Sequence, residues 1–433
     1  MDPQVVLLVA SFLILLVMHV PIAVALGLCA LLTLASLGDT PACYTVAQRM
    51  SNGIASFPLL AIPFFIFAGK LMGEGGMARR LISFASAVVG TRRGALAYVS
   101  TLTCMMFGAI SGSAGAAVSS VGGMMIPEMK RKGYPAPLSV AITTTAATTG
   151  LVIPPSNIMI VYAVTSNAVS VTAMFLAGVV PGIVVGLCLM IACWFICPEE
   201  VDPEAESGVV SAHPSFFSSA LQALPSLLLI VIVLWGILGG AFSATEAAAI
   251  AVLYAFLLAT VFYREVPLKD LPRICVETGV STAVIFFLIG ASMAMSWVMA
   301  REGIPQIVAE GMMGLSDNPI VILLLINLLL LFVGTFMDMT PAVLIFTPIF
   351  LPMWISMGYD PLHFGVVMIV NLCIGLCTPP VGTCLFIGCS VGKTSIAEVV
   401  KPLLPLFVAM FVALMLITYW PALSLWLPGV LGL

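Results

Sequence analysis

An apolar segment enclosed by two basic clusters places the strongest constraint on this chain. Arg92 and Arg93 precede it, residues 130–132 follow it as Lys-Arg-Lys, and Glu128 is the one charge between them. Near its middle, residues 108–115 read Gly-Ala-Ile-Ser-Gly-Ser-Ala-Gly, and each glycine costs about 1 kcal/mol inside a helix. The flanks of this break are about 15 residues long, whereas a spanning helix needs about 20 apolar residues. Neither flank is therefore expected to cross a bilayer alone.

Both ends of this segment carry the basic residues that favour the cytoplasmic side of a membrane. The pattern predicts a re-entrant helical hairpin over about 94–129, with its tip at 111–113, that enters and leaves on the cytoplasmic side. Irregular backbone at membrane depth is tolerated only where protein buries it or water reaches it. A Ser/Gly tip at that depth is therefore a candidate site. The alternative is one kinked helix followed by a short linker.

Composition identifies the protein around this segment as a polytopic membrane protein. Of the 433 residues, 61% are hydrophobic and only 8% are charged, against about 25% charge in an ordinary soluble domain. The sequence contains no zinc-ligand spacing, no Ser/His/Asp arrangement and no basic patch for nucleic acid. We therefore expect no enzyme activity, no cofactor and no nucleic-acid partner. The eleven cysteines form no Cys-x-x-Cys pair and are interpreted as packing residues in apolar helices.

The two halves of the chain resemble each other. Four features of the first half recur in the second half at offsets of 226, 226, 225 and 225 residues. The matching pairs are Asn52-Gly53 with Thr278-Gly279, Gly108 with Gly334, Ile126-Pro127 with Leu351-Pro352, and the Gly-Leu-x-x-Pro-Pro sequences at 150–155 and 375–380. We therefore predict a first repeat over 1–197, a cytoplasmic acidic linker over 198–214, and a second repeat over 215–433 with its own hairpin at about 319–353.

The charges around the second hairpin predict that it enters the membrane from the opposite side. Its flanks carry Asp317 and Asp360 and no basic residue, the reverse of the first hairpin. The expected fold is an all-α polytopic membrane protein with an inverted-topology repeat, two re-entrant hairpins and two helices broken by paired prolines, as in many secondary transporters. Both termini are then expected on the outer, periplasmic side, and residues 38–52 and 301–318 are expected to be short outer loops.

The tips and the breaks offer oxygen atoms, which are the ligands that hard cations prefer. The candidate ligands are Ser111, Ser113, Gly150, Ile153 and Pro155 in the first half, and Asp338, Met339, Thr340, Gly375, Thr378 and Pro380 in the second half. Asp338 stands out because an ionisable residue within a membrane segment is costly and usually functional. Its alternative role is a helix N-cap, and the alternative for the Ser/Gly tip is close helix packing. Asn157 and Thr383 follow the two breaks and are weaker candidates for hydrogen bonds to a substrate.

Four motifs together resemble the large membrane subunit of tripartite ATP-independent periplasmic (TRAP) transporters, the DctM-like permeases. They are Gly-Ala-Ile-Ser-Gly-Ser at 108–113, Ile-Pro-Pro-Ser at 153–156, Phe-Met-Asp at 336–338 and Thr-Pro-Pro-Val-Gly at 378–382. The resemblance runs along essentially the whole chain. It implies an elevator-type transporter of the bacterial inner membrane that imports an organic acid anion, of the dicarboxylate or sugar acid class, together with sodium. It also implies that the candidate ligands of each half hold one sodium ion.

The resemblance further implies two partners besides the lipid bilayer. These are a small four-helix membrane subunit and a soluble periplasmic binding protein that delivers the substrate. Two other functions are open at this point. One is a self-sufficient sodium/dicarboxylate symporter built on the same inverted-hairpin plan, and the other is a membrane scaffold or channel without coupled transport.

Overall fold

The computed structural model describes residues 3–38, 41–90, 93–198, 216–316, 318–379 and 382–432. Within these ranges the regular structure is entirely helical. Seven helical stretches of this part are long and apolar enough to cross a membrane, by length and composition. They are Phe57–Glu74, Val171–Ile196, Phe216–Leu238, Ala244–Phe262, Leu268–Arg301, Met339–Ser356 and Ile396–Tyr419. This agrees with the polytopic membrane protein predicted from composition.

Each half contributes ten α-helices to the described residues. In the first half, α1 to α10 cover Pro3–Val17, Ile22–Leu37, Ala42–Ile54, Ala61–Glu74, Met77–Val89, Ala95–Ser111, Ala114–Arg131, Ala136–Thr149, Asn157–Ser166 and Val171–Ile196. In the second half, α11 to α20 cover Phe216–Leu238, Ala244–Phe256, Leu271–Arg301, Ile304–Met313, Pro319–Gly334, Met339–Ser356, Pro361–Gly375, Thr383–Gly392, Ile396–Tyr419 and Ala422–Val430. The predicted acidic linker, 198–214, lies almost wholly outside the described residues.

At both predicted hairpins the structure has two helices joined by a short turn. α6 and α7 meet at 112–113, α15 and α16 meet at 335–338, and the members of each pair pack against each other. Each pair is followed by two short helices with an irregular break between them, α8 and α9 in the first half and α17 and α18 in the second. The same order of elements thus occurs twice along the chain. Entry of the two hairpins from opposite sides of a membrane stays a prediction.

Two segments that were predicted to be loops are helical, so those predictions are wrong. Residues 38–52 hold most of α3, and residues 301–318 hold α14. Val46 of α3 and Met312 of α14 are buried, and these helices pack against α13 and α16 respectively. Their polar outer faces obscured the amphipathic pattern, in which one apolar stripe faces the protein.

Glycine pairs bring each hairpin into backbone contact with the broken helix beside it. A Cβ atom built on Gly108 of α6 would lie 2.6 Å from the Cα of Gly150, which ends α8. A Cβ atom on Gly375 of α17 would lie 2.7 Å from the Cα of Gly334, which ends α15. Ordinary contacts lie at 3.4–4 Å, so a larger residue does not fit at either crossing without movement of a backbone. The repeat relates these two crossings, and each lies close to a tip.

Candidate substrate and cation site

The first hairpin tip is a short turn with a defined helix cap. Gly112 follows α6 in the left-handed conformation (φ +60°), which glycine adopts at no steric cost. Ser113 is extended, and its hydroxyl oxygen accepts a hydrogen bond from the Ala116 amide at 3.3 Å, which caps α7. The Ser111 hydroxyl donates to the Ser113 carbonyl at 3.4 Å. The tip therefore turns where the sequence predicted, and helix capping accounts for part of its composition.

Two neighbouring elements hold this tip in place. A Cβ atom on Gly69 of α4 would lie 2.7 Å from the Ser111 carbonyl oxygen, so the backbone of the tip rests directly on α4. A Cβ atom on Gly112 would lie 2.9 Å from the side-chain nitrogen of Asn157. Because Asn157 is the first residue of α9, the tip and the residue that follows the first break are adjacent.

The second tip places a carboxylate at the start of a helix. Asp338 is extended and immediately precedes α16, which begins at Met339. Its side chain makes no capping hydrogen bond to that helix and is exposed. Met339 is buried and Thr340 is half-buried. The helix N-terminus favours a negative charge at this position, and the carboxylate oxygens are available to another partner.

The first break separates the end of α8 from the start of α9. Residues 150–156 form it, and its two prolines remove backbone donors that a helix would use. Gly150 and Pro155 are buried, whereas Ile153 is half-buried. The glycine crossing places this break beside the first tip.

The second break has the same position relative to its own hairpin. α17 ends at Gly375, and α18 begins at Thr383. Thr378 lies between them, is half-buried, and donates its hydroxyl to the Ile374 carbonyl at 2.7 Å. Pro380, also predicted as a ligand, lies outside the described residues.

A cavity of about 580 Å³ joins the two tips. The predicted site residues that line it are Ser111, Ser113, Asn157, Asp338, Met339, Thr340 and Thr383. Its volume falls within the range of about 300–1,000 Å³ that is usual for small-molecule sites. The other predicted ligands that the structure describes, Gly150, Ile153, Pro155, Gly375 and Thr378, do not line it. Pro155 instead faces a small apolar gap beside Phe65 and Leu229.

One polar atom in the cavity wall has no partner within the described residues. Asn157 Oδ1 is buried, and no hydrogen bond reaches it. Buried polar atoms are normally paired, because leaving one unpaired costs about 1–3 kcal/mol. Asn157 lines the cavity, but this oxygen is itself covered, so it marks an unused acceptor beside the first tip. The sequence predicted Asn157 from its position after the break, but not its unpaired oxygen, which depends on packing against the tip.

The wall also contains residues that the sequence interpretation did not assign to a site. Ile66, Gly69, Lys70, Gly73 and Glu74 of α4 all line the cavity, and their spacing of three and four residues places most of them on one helix face. Sequence analysis gave Lys70 no role in a site. Lys70 and Glu74 could have indicated this wall from the sequence, because charges within an apolar helix are costly and usually functional.

The fold and the site together define a class of protein. This is a multi-pass helical membrane protein in which two hairpin tips and two broken helices surround a central cavity, a plan that serves transport in other proteins. The sequence matches the family model "Tripartite ATP-independent periplasmic transporter, DctM component" over residues 9–423. The chain belongs to this family of transporter permeases and, like its members, is a transport protein and not an enzyme.

Several relatives match nearly the whole chain. The uncharacterized protein YgiK of Salmonella typhimurium is 49% identical over 425 residues, which cover 98% of this chain and 97% of YgiK. The C4-dicarboxylate TRAP transporter large permease protein DctM of Pseudomonas aeruginosa is 41% identical over 389 residues, 90% of each chain. The crystal structure of the Alcanivorax borkumensis YdaH transporter superposes with a TM-score of 0.63 at 15% identity, covering 90% of this chain and 89% of YdaH. That likeness concerns the fold alone.

Proposed function

We propose that the chain is the large permease subunit of a sodium-coupled transporter that imports an organic acid anion across the bacterial inner membrane. The observation that carries this proposal is the cavity, in which both tips meet the two residues that follow the breaks. Membership of a transporter family supports it. The substrate proposed is a small organic acid of the dicarboxylate or sugar acid class, and the name of the Pseudomonas aeruginosa relative supports the dicarboxylate.

Two sodium ions bind beside the two tips in this proposal. The first ion takes oxygens of Ser111, Ser113, Gly150, Ile153 and Pro155, and the second takes oxygens of Asp338, Met339, Thr340, Gly375, Thr378 and Pro380. Hydroxyl, carboxylate and carbonyl oxygens are the ligands that hard cations prefer. The two glycine crossings support this assignment because they hold each break against its own hairpin. The uncapped Asp338 carboxylate supports it as well, since a cation would offset its charge.

The substrate anion occupies the cavity between the two ions. Asn157 and Thr383 donate hydrogen bonds to it, and the ions supply positive charge that makes anion binding depend on sodium. The tips and the broken helices then move together as an elevator between the two sides of the membrane. The repeats are inverted relative to each other, and both termini are periplasmic.

Two further proteins complete the transporter in this proposal. A periplasmic binding protein captures the anion and delivers it to the outer side, and a small four-helix subunit lies beside this chain in the bilayer. The support for both is the description of the family as tripartite. The binding protein selects the particular acid, and the cavity needs only modest affinity.

Removal of oxygen ligands tests the sodium assignment. Asp338→Asn and Ser113→Ala should keep expression but raise the sodium concentration for half-maximal uptake about ten-fold or more, the size expected when a bond to a charged group is lost. Ser119→Ala is the matched control, because its hydroxyl donates within α7 to the Gly115 and Ala116 carbonyls at 3.0 and 3.1 Å. Uptake is measured in membrane vesicles that contain the whole transporter, over a range of sodium concentrations.

Of the two variants, Asp338→Asn tests the sodium assignment with less effect on helix stability. Ser113→Ala also removes the cap of α7, at a cost of about 1 kcal/mol, whereas Asp338 caps nothing. Unchanged sodium dependence in both variants would assign the tips to packing and leave the transport proposal without its coupling sites.

A further inference from the structure

Lys70 is the one cationic side chain among the described residues that line the central cavity. It follows Gly69, on which the first hairpin tip rests, and its side chain is 28% exposed. Ile66 and Gly73, four residues before and three residues after it, line the same cavity. The face of α4 that carries Lys70 is therefore the face turned towards the tips.

Lys70 ends a chain of ion pairs that joins α4 to α13. Its Nζ atom lies 3.2 Å from Oε2 of Glu277. Oε1 of Glu277 lies 2.9 Å from Nη1 of Arg273, and Nη2 of Arg273 lies 2.5 Å from Oε2 of Glu74. The four charges cancel. Within the described residues Arg273 thus pairs with both carboxylates, whereas Lys70 pairs with Glu277 alone.

This arrangement makes Lys70 the member that can change partner at low cost. If its ammonium group leaves Glu277, that carboxylate keeps Arg273 and the chain of ion pairs loses no other contact. The Glu277 side chain is 44% exposed, and ion pairs this exposed contribute little to stability because water and salt screen them. A carboxylate that arrives in the more enclosed cavity would form a charge-assisted hydrogen bond with Lys70, which is stronger than a bond between neutral groups.

We propose that Lys70 binds the acid group of the substrate in the central cavity and exchanges Glu277 for it. The inference rests on the proposed transport of organic acid anions and adds a residue that determines specificity for the charge of the substrate. Glu277 acts as an internal competitor for the same ammonium group. Loss of Lys70 and loss of Glu277 therefore change anion affinity in opposite directions, which a purely structural ion pair would not do.

The test measures anion binding to the complex of this chain with its small membrane subunit in detergent. Sodium succinate, a C4-dicarboxylate, and sodium N-acetylneuraminate, a sugar acid, are titrated at fixed sodium concentration and ionic strength. The readout is the concentration that gives half of the maximal rise in unfolding temperature. Lys70→Gln should raise this concentration about 10- to 100-fold, and Lys70→Arg should restore part of the affinity. Glu277→Gln should lower it by up to about five-fold.

Lys269→Gln is the matched control, because Lys269 is exposed just before α13 and does not line the cavity. Its half-saturating concentration should equal that of the wild type. An unchanged value for Lys70→Gln, or an equal rise for Lys70→Gln and Glu277→Gln, would overturn the inference and leave the proposed function standing. If Lys70→Gln does not fold, Glu277→Gln decides alone: a lower value supports the inference, and an unchanged or higher value overturns it. If neither anion stabilises the wild type, both the proposed substrate class and this inference are wrong.

Discussion

Replacement of Gly108 by alanine should destabilise the protein through a single methyl group. The added Cβ would lie 2.6 Å from the Gly150 Cα. An ordinary contact needs at least 3.4 Å, so α6 and the end of α8 must separate by 0.8 Å (3.4 − 2.6), and neither backbone can rotate away as a side chain could. Overpacking of this kind costs about 1–3 kcal/mol, against a gain of about 1 kcal/mol because alanine favours the helix.

Gly123→Ala in α7 is the matched control for this variant. Nothing lies within 4 Å of the Cβ that it would add, so it gains about 1 kcal/mol of helix propensity without a clash. The difference in free energy of unfolding between the two variants, about 1–3 kcal/mol, therefore measures the overpacking alone. Unfolding of both purified variants is followed in one detergent at one sodium concentration. If Gly108→Ala is as stable as Gly123→Ala, the hairpin does not cross α8 backbone to backbone.

Topology and helix capping give two more expected outcomes. Lys130→Cys at the end of α7 and Ser356→Cys at the end of α16 are each made in a chain without its native cysteines and treated in intact cells with an impermeant thiol reagent. The first should be protected and the second labelled. Equal labelling would refute the inverted repeat. Ser243→Ala should lower the free energy of unfolding by about 1 kcal/mol, because Ser243 and Glu246 form a reciprocal cap of α12 with hydrogen bonds of 3.3 and 2.8 Å. An unchanged unfolding transition would show that this cap contributes nothing.

The features that sequence analysis located correctly depend on local chemistry. Glycine and serine at 111–113 cannot continue a helix without cost, and the turn lies there. Paired prolines at 154–155 remove backbone donors, and α8 stops before them. Because the second half repeats the first, the same two predictions apply there, and helices end at Gly334 and Gly375.

The features that it missed depend on contacts between distant parts of the chain. Lys70 and Glu277 are 207 residues apart in sequence and 3.2 Å apart in space, so no local pattern relates them. The unpaired oxygen of Asn157 follows from packing beside the first tip. Residues 38–52 were predicted to be a loop because they are polar, but most of them lie in α3, which is stabilised by packing against α13.

Reconstitution of transport tests the central claim most directly. The account predicts that this chain, purified alone in liposomes with an inward sodium gradient, moves no organic acid. Uptake should appear when the small subunit shares the membrane and the loaded binding protein is added outside, and it should stop when the sodium gradient is collapsed. Robust uptake by the lone chain would contradict the account and identify a self-sufficient symporter. If the three proteins together still take up the acid after the sodium gradient is collapsed, sodium coupling is refuted.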